Sequence, residues 1–473
     1  TKCLVESHFW LSMADPESLR PSGAARGAHA GSRTPASLEA MRDMLSAVIG
    51  KTVRQLARLR GGGSALPGLV IERIDPGFLA RVLGRLPLGV VAVSGTNGKT
   101  TTTKMIVEML EAQGLRVFTN RTGSNFSRGV IAAAVQECSM RGRLDADIAV
   151  LELDEAHAIH FIARVRPRFT LLLNVLRDQL DRFGEIDTTA RLLRRIAEAT
   201  TEGLVVNRED PLIAAIGRDA GARIEVRAFG LSEPLRATFP NDDDFHRGAA
   251  EAAPGGEGSE GADRGPADVE LVELGDHEAV FRIDGVDHRT PLRLEGLYNV
   301  FNAAAALATV RAVRGGSADD GALVAALAEV RPAFGRGERL QLDGGPLELV
   351  LVKNPAGFRL ALASFDPAGV ATMIAINDQY ADGRDMSWLW DVDFGSLAEA
   401  GVDTVSGTRA WDMALRLEHD DVPVGVVEED PIVALEGFRE RSTGRPRRIF
   451  CTYTAMLALR ARLAELTEVE DIW

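Results

Sequence analysis

A glycine-rich stretch followed by a lysine and four threonines carries the most obvious chemistry in this sequence. It reads VVAVSGTNGKTTTTKM over residues 90–105. The apolar run predicts a strand that ends at Ser94, and a helix is predicted to begin at Lys99 or Thr100. Because backbone N–H groups and the dipole at a helix N-terminus attract phosphate, this order predicts a phosphate-binding loop.

The side chains of this loop suit a nucleotide with its magnesium ion. Gly95 and Gly98 allow a tight turn. Lys99 is predicted to reach the β- and γ-phosphates, and the Thr100 hydroxyl is a candidate Mg²⁺ ligand. The stretch departs from the Walker pattern, which would need glycine where Val93 stands. The alternative, a glycine turn before a polar helix, is disfavoured by the complete strand–turn–Gly-Lys-Thr-Thr–helix order.

The elements that must position this loop follow an α/β pattern. Compact apolar runs separated by helical stretches predict a doubly wound sheet whose parallel strands are covered on both faces. Alternating segments around residues 269–283 predict an antiparallel appendage. A second α/β series follows a boundary near residue 332. The predicted strands are residues 89–94, 117–119, 148–153, 169–174 and 204–207, then 347–352, 372–376, 402–406, 422–427 and 449–451.

The length of 473 residues predicts more than one domain. We predict a disordered N-terminal extension over residues 1–43, because its stretch PSGAARGAHAGSRTPAS can bury little apolar surface. A central domain is predicted over residues 44–332, with a flexible acidic insertion at about 241–268. The C-terminal domain is predicted over residues 333–473.

Composition excludes several classes of protein. A net charge of −14 argues against non-specific binding of nucleic acid. No apolar run reaches the length of about 18 residues that a membrane span requires. Cys3, Cys138 and Cys451 are far apart, so neither a disulfide framework nor a zinc ribbon is indicated. These features predict a cytoplasmic protein.

The stretch GTNGKTTT resembles the ATP-binding signature of the Mur ligase family, which also includes folylpolyglutamate synthases. The resemblance extends along most of the chain from about residue 44. It implies a Mur-ligase-like central P-loop ATPase domain and a Rossmann-like C-terminal α/β ligase domain. It also implies binding of ATP and Mg²⁺. Members of this family activate a carboxylate as an acyl phosphate, which an amine then attacks.

Further sequence blocks resemble family motifs and imply roles for individual residues. AVLELDEAH resembles the family's magnesium-binding strand, which makes Glu152 a metal ligand beside Thr100. GLYNVFNAAAA resembles the adenine-binding block, and FGRGERL supplies an arginine of the kind that the family directs at ATP. The implied ATP-binding residues are Gly95, Thr96, Asn97, Gly98, Lys99, Thr100, Thr101, Asn299, Asn302 and Arg336.

Plainer interpretations of these residues stay open. Glu152 could be a solvated acid at a strand end, and the following Asp154 and Glu155 could be solvated loop acids. Asn299 and Asn302 could belong to a helix cap, although their spacing places both on one helix face.

Three departures from the family pattern narrow the resemblance. Gln179 stands in place of the family histidine, and TTARLLRRIAEATTEG lacks the lysine that other members carbamylate. The usual amino-acid-binding motif reads LVKNPAG instead. These blocks, with TNRTGSNFSRGV and INDQYADGRDMSWLWDVDF, resemble the MurT branch, the ligase subunit of lipid II isoglutaminyl synthase.

This branch implies a specific reaction and partner. The implied activity is ATP-dependent amidation of the D-glutamate α-carboxylate in the lipid II stem peptide, which yields D-isoglutamine. The ammonia comes from a separate glutaminase subunit, GatD. The enzyme is expected in the cytoplasm, acting at the inner face of the membrane and touching it through the lipid substrate only. No nucleic acid is expected to bind.

The C-terminal motifs have roles that follow from the same resemblance. Asp385 is implied to complete the catalytic Cys-His pair of the glutaminase, since a carboxylate can orient a histidine and stabilise its protonated form. Lys353 and Asn354 are candidates for contact with the substrate carboxylate or phosphate. The alternative for the loop is a charged surface segment with Trp388 and Trp390 packed beneath it, and these Trp side chains could also anchor an interface.

The resemblance implies that several relatives carry a four-cysteine zinc ribbon in the ATPase domain, near the place of the acidic insertion, and this insertion has no cysteine. We therefore expect no zinc. Two alternatives to the amidation remain: a Mur-type or folylpolyglutamate-type ligase that adds an amino acid, and a nucleotide-dependent switch without ligase chemistry.

Overall fold

Two β-sheets, each with helices on both faces, account for the fold. The computed structural model describes residues 36–59, 66–120, 127–176, 186–236, 265–275, 278–293, 297–330 and 336–469. The first sheet precedes the undescribed residues 331–335 and the second follows them. The predicted domain boundary at residue 332 falls between the two sheets, in a range that the structure does not describe.

The first sheet has nine strands in the order β2-β3-β1-β4-β5-β6-β7-β8-β9. The pairings from β2 to β7 are parallel, and β7, β8 and β9 pair antiparallel. The strands are β1 Val90–Ser94, β2 Val117–Thr119, β3 Ile148–Glu152, β4 Phe169–Leu172, β5 Gly203–Asn207, β6 Glu225–Leu231, β7 Val269–Gly275, β8 Glu278–Ile283 and β9 Val286–Pro291.

Helices cover both faces of this sheet, which explains the uninterrupted apolar runs in its strands. In β1, Val91 and Val93 belong to one buried cluster, whereas Val90 and Ala92 belong to another on the opposite face. The helices are α1 Ala36–Leu59, α2 Leu66–Ile74, α3 Phe78–Leu83, α4 Lys99–Ala112, α5 Ser127–Glu137, α6 Glu155–Ile162, α7 Ile186–Ala199, α8 Pro211–Ala220, α9 Glu233–Arg236, α10 Leu297–Arg314 and α11 Asp320–Glu329.

The second sheet has six strands in the order β10-β11-β15-β12-β13-β14. All of its pairings are parallel except the hairpin of β10 and β11. The strands are β10 Arg336–Leu342, β11 Gly345–Leu351, β12 Ala371–Ala375, β13 Val402–Ser406, β14 Val424–Glu428 and β15 Arg447–Cys451. The helices are α12 Pro355–Ala363, α13 Ala410–His419, α14 Pro431–Arg441 and α15 Tyr453–Leu463.

The strand orders place the loops of interest at switch points. In the first sheet β1 lies between β3 and β4, and in the second β15 returns between β11 and β12. Ligands of doubly wound sheets bind outside the carboxyl ends of strands at such points. The loop after β1 and the segments after β11 and β12 therefore occupy ligand-binding positions.

Two predictions about organisation were wrong. The antiparallel segment is no appendage, because β7 pairs with β6 and so continues the main sheet. The disordered extension was predicted to reach residue 43, but α1 begins at Ala36. Asp43 is buried in α1 and forms ion pairs with Arg81 and Arg85. Such distant contacts stabilise the helix start and leave no local pattern in the sequence.

The edge strand β10 is fastened to α15 by a buried ion pair, which yields a prediction. Arg460 donates two hydrogen bonds to the Glu338 carboxylate, at 2.8 and 3.0 Å. Arg460→Ala would remove this cation and its two hydrogen bonds from a buried carboxylate, at a cost of about 3–5 kcal/mol. Chemical denaturation followed by tryptophan fluorescence measures the change, since Trp388, Trp390 and Trp411 belong to this part of the chain.

Arg462 on the same helix is the matched control. It pairs with Glu436 at a more exposed position, so Arg462→Ala should cost at most about 1 kcal/mol. Equal losses in the two variants would contradict the role assigned to the buried pair.

Candidate functional site

The loop between β1 and α4 has the backbone shape that its glycines predict. Gly95 and Gly98 have φ angles of 133° and 87°, in the region that favours glycine. A Cβ atom at Gly98 would stand 2.7 Å from the side-chain nitrogen of Asn302. Gly98 is also the N-cap of α4, so the helix N-terminus opens directly from the turn. A bulkier residue at position 98 would collide with α10.

An asparagine after β4 fixes the loop. The N–H of Thr96 donates to the Asn174 carbonyl (3.0 Å), and the N–H of Asn97 donates to the Asn174 side-chain oxygen (2.8 Å). The amide nitrogen of Asn174 in turn donates to the Asn97 carbonyl (3.1 Å). Sequence reasoning assigned no role to Asn174, because its hydrogen bonds to the loop join residues 77 positions apart in the chain.

Lys99 lies over the loop, with its ammonium group held by carbonyl oxygens and a carboxylate. Its Nζ donates to the carbonyls of Gly95 and Thr96 and stands 3.6 Å from Oε1 of Glu155. Glu155 is buried in the first turn of α6, so the interpretation as a solvated loop acid was wrong for this residue. The sequence placed Glu155 near the loop but could not show that it faces Lys99.

One of the two candidate metal ligands ends β3, and the other lies in α4, the helix that follows the neighbouring strand β1. Glu152 ends β3 directly opposite Val93 of β1 and is buried. The backbone of Glu152 is bracketed by the Asn120 amide, which accepts from its N–H (3.0 Å) and donates to its carbonyl (2.9 Å). Thr100 is half-buried in the first turn of α4. Its hydroxyl and the Glu152 carboxylate are the oxygen donors that Mg²⁺ prefers.

This donor set fits magnesium. Mg²⁺ is usually held by one or two carboxylates together with phosphate oxygens and water. Within the described ranges, no group of three or more His, Cys, Asp and Glu side chains could hold a metal ion. The expectation that zinc is absent concerns the insertion, most of which lies outside the described residues, and it stays a prediction.

A cavity lies at the junction of the two sheets, beside the start of α4. Its lining includes Gly98 and Thr101 of the loop and helix, Asn299 of α10, and Leu360 and Phe365 from the second sheet's side. The buried hydroxyl of Thr101 has no hydrogen-bond partner among the described residues. An apolar wall with a few polar groups suits a nucleoside.

The structure separates the two predicted adenine-binding asparagines. Asn299 lines the cavity, whereas Asn302 is buried against Gly98, and its amide nitrogen has no partner in the described part of the chain. Arg336 opens β10, and its backbone pairs with Val350, another lining residue. The side chain of Arg336 and all of Gln179 lie outside the described residues.

Lys353 and Asn354 contact the phosphate loop itself. The ammonium group of Lys353 donates to the Thr96 carbonyl (3.0 Å). The side-chain amides of Asn97 and Asn354 exchange two hydrogen bonds, at 3.0 and 3.2 Å. The Asn354 oxygen also accepts from the N–H of Gly357, which caps α12 (2.8 Å). The second sheet therefore holds the loop of the first, and a contact of these residues with substrate stays a prediction.

The loop after β12 is built around a buried aspartate. Asp382 accepts from the N–H and hydroxyl of Thr454, at the start of α15, and from the N–H of Gln379. Burial raises the pKa of Asp382. Sequence reasoning did not single out Asp382. A carboxylate that binds both the loop and a helix N-terminus fixes the shape of the segment that presents Asp385.

Asp385 is only partly buried. Its carboxylate accepts a hydrogen bond from the N–H of Ser387 (2.9 Å), and hydrogen bonds from Ser387 lower the pKa of Asp385. At neutral pH this group is therefore ionised, as a partner for a histidine requires. Trp388 is buried beside this loop, whereas Trp390 is half exposed, so only one of the two predicted packing tryptophans lies underneath.

The phosphate loop, the paired sheets and the cavity between them define a ligase of the Mur class. The family profile of the Mur ligase middle domain matches residues 93–310, and that of the MurT ligase C-terminal region matches residues 351–456. MurF from Acinetobacter baumannii superposes with a TM-score of 0.62 and 22% identity, covering 84% of this chain and 81% of MurF. At this identity the superposition supports the fold alone.

Similar curated proteins show to which branch of the Mur ligases this chain belongs. The MurT subunit of lipid II isoglutaminyl synthase (glutamine-hydrolysing) from Streptococcus pneumoniae is 31% identical over 431 residues, which cover 86% of this chain and 94% of the relative. The Staphylococcus aureus subunit of the same name is 28% identical over 414 residues, or 83% and 91% of the two chains. The chain belongs to the MurT family of Mur-type, ATP-dependent ligases.

The contact between Asn97 and Asn354 yields a prediction. Asn354→Asp keeps the oxygen that caps α12 but cannot donate to the Asn97 oxygen, so one hydrogen bond between the sheets is lost. A hydrogen bond of this kind contributes about 0.5–1.5 kcal/mol, and we expect the KM for ATP to rise up to about tenfold. Steady-state kinetics with varied ATP measures the change.

Asp430 is a suitable control, because it caps α14 by accepting from two backbone N–H groups. Asp430→Ala should lower stability without changing the KM for ATP. An unchanged KM in Asn354→Asp would show that the amide pair does not support nucleotide binding.

Proposed function

We propose that this chain amidates the D-glutamate α-carboxylate of the lipid II stem peptide to D-isoglutamine, at the inner face of the cell membrane. The ammonia is supplied by a separate glutaminase subunit of the GatD type. The observation that carries the proposal is the phosphate loop with Lys99, held from the second sheet by Lys353 and Asn354. The name of the relatives from Streptococcus pneumoniae and Staphylococcus aureus supports the choice of substrate.

The reaction proceeds in two substitutions. A carboxylate oxygen of the substrate attacks the γ-phosphorus of ATP, the bond to the bridging oxygen of ADP breaks, and an acyl phosphate forms. The nitrogen of ammonia then attacks the acyl carbon. The C–O bond to phosphate breaks, inorganic phosphate leaves, and the nitrogen loses a proton to give the amide.

The residues of this chain position these groups and offset charge. Lys99 exchanges its loop carbonyls for the phosphate oxygens and neutralises the charge that spreads over the transferring group. The N-terminus of α4 binds the phosphates through its free N–H groups. Glu155 holds the Lys99 ammonium near the loop. Asn299 meets the adenine edge in the cavity, and the resemblance to the family implies that Arg336 contacts ATP.

Thr100 and Glu152 would hold Mg²⁺, which neutralises phosphate charge and orients the oxygens when bound. Lys353 is close enough to the loop to contact either a phosphate or the carboxylate that attacks it.

The Asp385 loop is the proposed docking point for the glutaminase. Its carboxylate is ionised and would orient the histidine of the partner's Cys-His pair. Tyr380 and Trp390, on the same loop, expose large aromatic surfaces, and residues of this type often carry the binding energy of interfaces. Glutamine hydrolysis would thus depend on a side chain from this chain.

Lys99→Ala tests the phosphate assignment. The loss of this cation should reduce carboxylate-dependent ATP hydrolysis by at least about 100-fold, while circular dichroism stays unchanged. Lys104→Ala is the control, because Lys104 lies on the same helix and pairs with Glu108. Normal turnover in Lys99→Ala would rule out its role at the phosphates.

Asp385→Asn tests the glutaminase contact, in the complex with the partner subunit. An amide cannot stabilise a protonated histidine, so glutamine-dependent amidation should fall by at least about 100-fold, as loss of a triad carboxylate implies. Amidation with added ammonia should stay normal. Equal loss with both nitrogen sources would instead assign Asp385 to the ligase site. The proposed amidation itself would be refuted if the wild-type complex transferred an amino acid in place of ammonia.

A further inference from the structure

The outward face of α1 carries a row of large apolar side chains. Met41, Leu45 and Leu59 are 56%, 58% and 80% exposed. These exposed apolar side chains recur along α1 at intervals of three, four and eight residues, which places them on one side of the helix. We call this row the apolar stripe; it consists of Leu38, Met41, Leu45, Val48, Leu56 and Leu59.

The opposite face fixes the orientation of the helix. Asp43, Ser46 and Ala47 are buried. Asp43 accepts from Arg81, and the Ser46 hydroxyl donates to Asp75. Because α1 is anchored on this side, the apolar stripe faces away from the core. Rotation of the helix cannot bury it without breaking these contacts.

Charge around the stripe is opposite to that of the whole protein. Residues 36–59, which form α1, contain four Lys and Arg residues against two acidic ones, although the chain has a net charge of −14. Arg42 is exposed but forms an ion pair with Asp75 at 2.8 Å, and Asp43, one of the two acids, is buried in ion pairs. An apolar face bordered by basic residues is typical of helices that lie in the interface of an anionic bilayer.

The helix does not span the bilayer. Across the ranges that the structure describes, no helix is both long enough and apolar enough to cross a membrane. A helix with a narrow apolar stripe and a polar, anchored back suits only an orientation parallel to the surface.

We propose that α1 docks this enzyme on an anionic lipid surface through the apolar stripe. The inference rests on the proposed function, because an enzyme that amidates a lipid-linked peptide gains from residence where its substrate is confined. It goes beyond the expectation that only the lipid substrate touches the membrane. Leu38, Met41 and Leu45 enter the acyl boundary, while the excess of basic residues in α1 favours an anionic surface.

Two other occupants are outcomes of the test. Residues 1–13 carry six large apolar side chains, Leu4, Val5, Phe9, Trp10, Leu11 and Met13. If this segment covers the stripe, the wild-type chain will not bind vesicles. A second copy of the chain would bring together two surfaces with the same excess of positive charge.

Sedimentation with lipid vesicles tests the proposal. The wild-type chain should bind vesicles containing phosphatidylglycerol, bind less at high salt, and bind vesicles of pure phosphatidylcholine more weakly. Met41→Glu/Leu45→Glu should reduce the bound fraction by at least about tenfold, because two apolar contacts are replaced by charges that the lipid repels. Leu415→Glu/Val433→Glu is the control, since these side chains are equally exposed elsewhere, and it should bind normally.

Activity measurements distinguish a failure of the docking proposal from a failure of the proposed function. With ammonia and a water-soluble muropeptide, the Met41/Leu45 variant should be as active as wild type, whereas its activity on lipid II in vesicles should fall. If wild type fails to amidate either substrate, the proposed function is wrong, but vesicle binding still tests the stripe. Unchanged vesicle binding by the variant overturns the docking proposal. So does a wild-type dimer, seen by sedimentation velocity, that the variant loses.

Discussion

Side-chain amides hold the phosphate loop from two directions, and the rest of the site depends on this constraint. Asn174 fixes Asn97 from within the first sheet, and Asn354 fixes the same residue from the second. An amide carries both a donor and an acceptor, so each of these residues can bind in two places at once. A carboxylate or a hydroxyl could not make the same set of bonds. The loop is thereby shared by two structural units that have separate cores.

This arrangement explains why the phosphate loop tolerates valine at position 93. In a Walker loop the first glycine lets the backbone wrap around the phosphates. Here Val93 is buried in the core of the sheet, directly opposite Glu152. The turn starts two residues later, at Gly95, and the loop is correspondingly shorter. Lys353 of the second sheet donates to the Thr96 carbonyl of this shorter loop.

The sequence predicted those features that rest on local patterns. Buried parallel strands appear as unbroken apolar runs, so most strands and the α/β class were predictable, as was the turn at Gly95 and Gly98. Glu155 and Asn174 were not, because their roles arise from contacts between separate elements. The same holds for Asn354, whose contact with Asn97 spans 257 positions of the chain. The incorrect prediction of an antiparallel appendage has a similar cause, since the alternation of apolar residues along β7 does not reveal that β6 is its neighbour.

The carbonyl contacts of Lys99 and Lys353 have a consequence for selectivity. Both ammonium groups are bound to oxygens of the loop that they serve, Lys99 to the Gly95 and Thr96 carbonyls and Lys353 to the Thr96 carbonyl. The loop carbonyls therefore compete with any bound anion for these two ammonium groups. An anion that reaches one lysine must displace these contacts for a single new ion pair, whereas a polyphosphate long enough to reach both lysines would gain two. The contacts would therefore favour a polyphosphate over a smaller anion such as inorganic phosphate.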